Sequence, residues 1–191
     1  MGSSSSVASG IKILSPTLVA KETPVCSVCA TRKEMASVTG YSERSGGSLY
    51  MGQAIINDKG QTVAARRKLK PTHVERTVFG EGDGSDLCVL ETGIGRLGAL
   101  CCWEHPQPLS KYAMYAQDEQ IHVAAWPSFS LYCNAAYALG PEVNNAASQM
   151  YAAKGQCFVL APCATVSKEM IDTLIDDPKK RNCCSREVAL P

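Results

Sequence analysis

Residue types able to do chemistry gather in two stretches of the chain. One is Arg66-Arg67-Lys68-Leu69-Lys70-Pro71-Thr72-His73-Val74-Glu75-Arg76, followed by Phe79-Gly80-Glu81-Gly82-Asp83-Gly84-Ser85-Asp86. The other is Gly95-Arg96-Leu97-Gly98-Ala99-Leu100-Cys101-Cys102-Trp103-Glu104-His105. The second reads as a strand running into a turn and a helix, the setting in which a nucleophile is held exposed at the end of a sheet. In strand geometry Cys101 and Cys102 point to opposite faces, so one packs while the other reacts. Taken alone, a cysteine before an aromatic is more often a core residue, and a lysine such as Lys68 a solvated strand residue. Cys26-Ser27-Val28-Cys29 has the spacing of half a zinc site, with Cys183 and Cys184 as conceivable partners. No second spaced pair or Cys/His set follows it, so these are read as incidental thiols and no metal is expected.

The elements that must position these residues are legible from pattern. Ser48 to Ile56 is apolar and extended, Asn57-Asp58-Lys59-Gly60 has hairpin-turn chemistry, and Gln61 to Leu69 reads as the return strand. Val89 to Glu91 and Leu97 to Cys101 form a second candidate pair around Thr92-Gly93-Ile94-Gly95. Helical spacing over Leu109 to Gln117 puts Leu109, Tyr112, Ala113 and Ala116 on one stripe. Ile121 to Trp126 is a buried-strand candidate, Pro141 to Ala153 a helix closed by Gly155, Cys157 to Ala161 a short strand, and Lys168 to Ile175 a short helix. Strands dominate the first half and alternate with helices in the second, which indicates helices layered on sheet.

Composition narrows the partners. The chain has 191 residues, 45% apolar and 19% charged, and its net charge of +1 creates no field for nucleic acid or anionic lipid. Gln120 to Pro141 is uncharged and long enough to span a bilayer, but its His, Asn, Ser and Pro residues make insertion expensive, so it is read as core and no membrane partner is expected. Ten cysteines, some in adjacent pairs and others in apolar segments, do not form a disulfide framework, and a reducing, cytoplasmic location is expected. Residues 1–37 read as an unmatched, disordered tail, 38–182 as the folded domain, and 183–191 as a divergent tail. The opening Met-Gly-Ser-Ser-Ser-Ser fits a myristoylation pattern that a Ser-rich terminus matches by chance.

Together the two stretches closely resemble the nitrilase branch of the carbon-nitrogen hydrolase superfamily. Its signature stands here as Arg67-Lys68-Leu69-Lys70-Pro71-Thr72, Glu75-Arg76, Gly80-Glu81-Gly82-Asp83-Gly84-Ser85, and Gly98-Ala99 leading to Cys102-Trp103-Glu104. The likeness extends to Gly40-Tyr41-Ser42-Glu43-Arg44, to His122-Val123-Ala124-Ala125-Trp126-Pro127, and from Glu142 to about Lys180. It implies an α+β fold, a partial αββα sandwich, and cofactor-free hydrolysis of a small-molecule nitrile to acid and ammonia. It implies Cys102 as nucleophile forming a thioimidate and then a thioester, Lys68 as the stabilising cation, and Glu75 as a glutamate beside that lysine, in a proton role or as a structural partner. It implies Trp103, Glu104, His105 and Trp126 on the substrate side, with satisfied hydrogen bonding or core packing as the plainer reading of the last three. Tyr132 and His73 are further pocket candidates. Homo-oligomers built through helix surfaces, here Leu109 to Gln117 and Glu142 to Ala153, also follow from the resemblance.

Two departures qualify this. Relatives carry a triad glutamate in a Phe-Pro-Glu segment on an early strand, and no such segment precedes Glu43, where Glu22 and Glu34 are the acidic residues; the first strand and helix and the C-terminal strands of the usual fold are expected to be absent. After Lys180 the chain also leaves the family pattern. Weak turnover and a stalled adduct on Cys102 are therefore expected of the 191-residue chain. The alternatives are hydration of a nitrile or cyanide to the amide, or a catalytically dead fragment acting through self-association.

Overall fold

The computed structural model describes residues 11–14, 35–128, 136–174 and 176. The first sheet contains, in spatial order, β1 (Ile11–Leu14), β2 (Ala36–Ser45), β3 (Ser48–Ile56) and β4 (Thr62–Arg67). β1 runs parallel to β2, and the remaining pairs are antiparallel. The expected hairpin turn lies between β3 and β4. Asn57 Oδ1 accepts the amides of Lys59 and Gln61, and Gly60 takes φ 75°, a left-handed value that favours glycine.

The second sheet contains β5 (Leu90–Thr92), β6 (Gly95–Cys101), β7 (Ile121–Ala125) and β8 (Phe158–Leu160) in that order. β5 is antiparallel to β6, while β6, β7 and β8 are parallel. The connections between these parallel strands carry helix α1 (Pro108–Tyr115) and helix α2 (Pro141–Gly155); α3 (Lys168–Leu174) follows β8. Proline at the start of α1 and α2 suits a first helical turn, where a missing amide costs nothing.

Strand alternation sorts the side chains into two cores. Leu97 and Ala99 of β6 and Ile121 and Val123 of β7 meet Ala36, Val38 and Ile55 of the first sheet, which makes the layer between the sheets. Leu100, on the opposite face of β6, packs with Met114 of α1 and Tyr151 of α2. The layers are thus sheet, sheet and helix, the partial αββα sandwich that the sequence implied.

Two expectations are corrected. The fold reaches into the segment read as a tail: β2 starts at Ala36, Met35 to Val38 are buried, and Ile11–Leu14 adds a parallel strand to the sheet. The stripe read on α1 is not its buried face either. Leu109 and Tyr112 are 83% and 69% exposed, while Ser110 and Met114 are buried. The face is set by Met114 fitting between Leu100 and Tyr151, and apolar spacing alone has no knowledge of that partner. Cys26, Cys29, Tyr132, Cys183 and Cys184 lie outside the described residues.

Leu97 is wholly buried between the sheets. Leu97→Ala is expected to lower unfolding free energy by about 2–5 kcal/mol, read as a lower urea midpoint at unchanged slope.

Candidate active site

Lys68 follows the last residue of β4 and is fixed from both sides through its backbone. Its amide donates to the Met51 carbonyl at 2.7 Å, and its own carbonyl accepts from Gly82 at 2.9 Å. The glycine run is there for closeness: a Cβ on Gly82 would sit 2.9 Å from the Lys68 oxygen. The Lys68 side chain turns inward and is 2% exposed, and its Nζ donates to Glu75 Oε2 at 2.6 Å. Glu75 is itself anchored, because Oε2 also accepts the Thr72 amide at 2.6 Å at the start of the His73–Thr77 3-10 turn. Burial opposes the charge on Lys68, but Cys101, Cys102 and Glu75 outweigh it and lift its pKa above the ordinary lysine value. The ammonium is therefore held charged inside the protein.

Cys102 begins a 3-10 turn at the end of β6, with φ 52°. A non-glycine residue in that left-handed region costs on the order of 1–3 kcal/mol and persists where its surroundings dictate it. Glu104 supplies much of that constraint. Its Oε2 accepts the Cys101 amide at 2.8 Å, its Oε1 accepts the Leu69 amide at 2.8 Å, and both oxygens take the Arg66 guanidinium at 2.9 and 2.6 Å. Arg66 Nη1 also donates to Gln53 Oε1 at 2.7 Å, and Gln53 Nε2 to the Leu100 carbonyl at 3.2 Å. Burial works against the Glu104 charge, yet Arg66 and the two amides hold its carboxyl below the usual range. The end of β4, the lysine loop and the nucleophile turn are thereby tied to one carboxylate.

Lys68 acts to lower both thiols, but burial pushes Cys101 up to about 12 and leaves Cys102 above the ordinary thiol value as well. Glu75 adds to the rise at Cys102. The resting form of Cys102 is the neutral thiol, so attack requires a base to take its proton.

A cavity of about 840 Å³ opens over the lysine loop and the nucleophile turn. Lys68, Cys102 and Glu75 do not line it; their chain neighbours Leu69, Trp103 and Arg76 do. Of the expected substrate-side residues, Trp103 and Glu104 reach the cavity, as does His73. His105 and Trp126 do not: they are 0% and 2% exposed and stack at 4.8 Å in the core, so their placement on the substrate side is corrected. Glu104 touches the cavity wall with its oxygens already occupied, so it positions backbone rather than offering a free carboxylate. Arg66 and Gln53 went unnoticed in the sequence. The only available sign was a second arginine before Lys68, and a basic run is ordinarily a solvated one. Lys70 points outward, 61% exposed and paired with Glu81. Among the described residues no group of acidic, His and Cys side chains is arranged to hold a metal ion.

Two outcomes follow. Alkylation with iodoacetamide and peptide mapping should modify Cys102 ahead of Cys101, at a rate still rising with pH beyond 9, because the thiol value is raised above 9.0; equal labelling overturns the assignment. Glu104→Ala leaves the Arg66 charge buried and unpaired and should destabilise the fold by about 3–5 kcal/mol, measured by denaturant unfolding.

Comparison with known proteins shows the family and the fold. The family model for carbon-nitrogen hydrolase matches residues 17–178. A nitrilase of Pseudomonas syringae pv. syringae (strain B728a) is 73% identical over 145 residues, which cover 76% of this chain and 43% of that protein. An arylacetone-specific nitrilase of Alcaligenes faecalis is 65% identical over 135 residues, covering 71% of this chain and 38% of the relative. The chain thus spans well under half the length of either. Among solved structures, a carbon-nitrogen hydrolase from Helicobacter pylori G27 superposes with a TM-score of 0.66 at 16% identity, over 82% of this chain and 55% of that one, which is a likeness of fold. A family match across most of the chain, on a two-sheet scaffold that brings a lysine, a glutamate and a strained cysteine together, makes this chain a member of the carbon-nitrogen hydrolase family.

Proposed function

We propose that the site hydrolyses an organic nitrile to a carboxylic acid and ammonia, with Cys102 as nucleophile. The observation that carries this reading is the buried Lys68 ammonium, hydrogen-bonded to Glu75 at 2.6 Å and acting electrostatically on a Cys102 thiol set in a left-handed turn. Glu75 takes the thiol proton as sulfur bonds to the nitrile carbon. A carbon-nitrogen π pair moves to nitrogen and is protonated, giving the thioimidate, while Lys68 stabilises the charge developing there. Water adds to that carbon, the carbon-nitrogen bond breaks, and ammonia leaves a thioester. A second water displaces the sulfur, and the acid and the free thiol result. Trp103, on the cavity wall, contacts the substituent carried by the nitrile. Lys68 and Glu75 thus divide the work of charge stabilisation and proton transfer.

The names of the two curated relatives support the choice of a nitrile substrate. Self-association through α1 fits the exposure of Leu109 and Tyr112. A cytoplasmic setting fits the free thiols of Cys88, Cys101, Cys102, Cys157 and Cys163. Among the described residues no helix is long and apolar enough to cross a membrane.

The test is incubation with a panel of aliphatic and aromatic nitriles, with ammonia, acid, amide and the mass of the Cys102 peptide all measured. Lys68→Ala should remove turnover or adduct formation, whereas Lys70→Met, altering only a surface pair, should leave them largely intact. Acid and ammonia in equal amounts support the full cycle. A stable Cys102 adduct without ammonia places the block after addition, where Glu75 alone fails to move the later protons. Amide as the main product, or no change at Cys102 and no product, overturns the reading.

A further inference from the structure

Beneath the turn of Cys102, four buried side chains make one continuous line of hydrogen bonds. Tyr151 Oη lies 2.6 Å from Glu119 Oε2, and Glu119 Oε1 lies 2.7 Å from His122 Nδ1. His122 Nε2 lies 3.0 Å from His105 Nε2, and His105 Nδ1 lies 2.6 Å from the carbonyl oxygen of Cys102. None of the four is more than 5% exposed. The backbone makes room for them: Gly98 sits opposite His122 in the β6–β7 register, and a Cβ there would lie 2.0 Å from Glu119 Oε1.

The chemistry of the partners fixes the direction of every bond. A carbonyl only accepts, so His105 Nδ1 carries the hydrogen, and the Nε2 of a neutral ring is then an acceptor. His122 must donate from Nε2, which leaves its Nδ1 as an acceptor facing Glu119. The carboxyl must therefore bring a proton, while its other oxygen accepts from Tyr151. Burial acts in the same sense, pushing both imidazoles down to about 3 and Glu119 up to about 7.

We propose that Glu119 is a positioning residue which, in its acid form, sets the tautomers of His122 and His105 and so maintains the hydrogen bond from His105 to the carbonyl of Cys102. This deepens the proposed function and rests on Cys102 being the reactive thiol. The carbonyl also accepts the His105 amide at 3.1 Å, so the line supplies the second of two bonds that hold the left-handed turn. When Glu119 ionises, His122 must place its hydrogen on Nδ1 to meet the carboxylate. Its Nε2 lone pair then opposes that of His105. If His105 moves its proton to Nε2 to restore that contact, its Nδ1 becomes an acceptor facing the Cys102 carbonyl, and either way one bond is lost. Tyr151 of α2 is the titratable group that acts on Glu119, whose charge in turn acts on Tyr115 of α1 and on Cys157 before β8; Arg66 and Glu104 act on the imidazoles. Because the folded value of Glu119 lies above its ordinary 4.5, the contribution of the acid form is complete below about 4.5 and is lost as pH rises through about 7.

Glu119→Gln separates positioning from simple packing. The carboxamide has the same shape, its nitrogen donates to His122, its oxygen accepts from Tyr151, and it does not titrate. The rate of iodoacetamide reaction at Cys102 is measured from pH 5.5 to 9 in both proteins, with equal urea midpoints at pH 6 as the folding control. The ratio of the original protein's rate to that of Glu119→Gln is expected to be constant below pH 6 and to fall about tenfold or more, up to about a hundredfold, above pH 8. His105→Phe, which keeps a ring against Trp126, should lower the rate below pH 6 and converge on the original protein above pH 8. Tyr151→Phe removes a bond that favours the carboxylate, so the fall should move to higher pH. A ratio that is flat across the range, an unchanged rate in His105→Phe below pH 6, or a fall that stays in place in Tyr151→Phe overturns the proposal. Labelling needs no nitrile, so a nitrile panel that gives no product and no change at Cys102 sinks the hydrolase reading while this ratio is judged independently.

Discussion

The Glu104 carboxylate is the constraint on which the site depends. It receives four donors: two from Arg66, one from the Leu69 amide and one from the Cys101 amide. Arg66 belongs to the first sheet, Cys101 ends a strand of the second, and Leu69 opens the lysine loop, so a single side chain sets the separation of three backbone segments. A buried ion pair is weak evidence for stability, since desolvation offsets most of the attraction. Its consequence here is geometric. The charge on each partner can be satisfied only if the two sheets meet in one register, and Gln53, reaching from Arg66 to the Leu100 carbonyl, adds a second condition of the same kind.

Around that carboxylate the reactive groups are buried yet keep the protonation states they have in water. Lys68 is buried yet charged, because the Glu75 carboxylate faces its ammonium at 2.6 Å. Cys102 is strained yet protonated, because burial outweighs the pull of the lysine. A charged lysine and a neutral thiol side by side are suited to a nucleophile that is activated only as it attacks, with the cation already in place for the charge that then appears on the substrate. The glycines of the Gly80-Glu81-Gly82 run matter for the same reason: they let a second backbone approach the lysine carbonyl closely enough to fix it.

The molecule uses polar residues in its helix-facing core where aliphatic ones would be the ordinary choice. His105, His122, Glu119 and Tyr151 fill the space between β6, β7 and α2 and satisfy one another. Such a network is tolerable only if every member is paired, and it then specifies one arrangement more sharply than Leu or Val would. That arrangement ends on the backbone of the proposed nucleophile.

The strands and helices were legible in the sequence because their signals are local: the apolar, extended runs of β3 and β6, the Asn57–Gly60 turn, and Pro141 opening a helix that ends at Gly155. The pairing of Lys68 with Glu75 came from the family resemblance, and six intervening residues let one loop make it. Sequence pattern failed where the answer depended on a partner far along the chain. The α1 face was misread because Met114 is chosen by Leu100 and Tyr151, and apolar spacing carries no record of them. His105 and Trp126 read as pocket residues by their place in motifs, but the 3-10 turn after β6 and the end of β7 carry them into the core, where they stack on each other. The thiol state of Cys102 is not legible in the sequence, because a neighbouring cation is visible there whereas burial is not. Residue types determined which chemistry the chain can hold; the packing of two sheets decided which side chains face it, because burial and register arise only when distant strands meet.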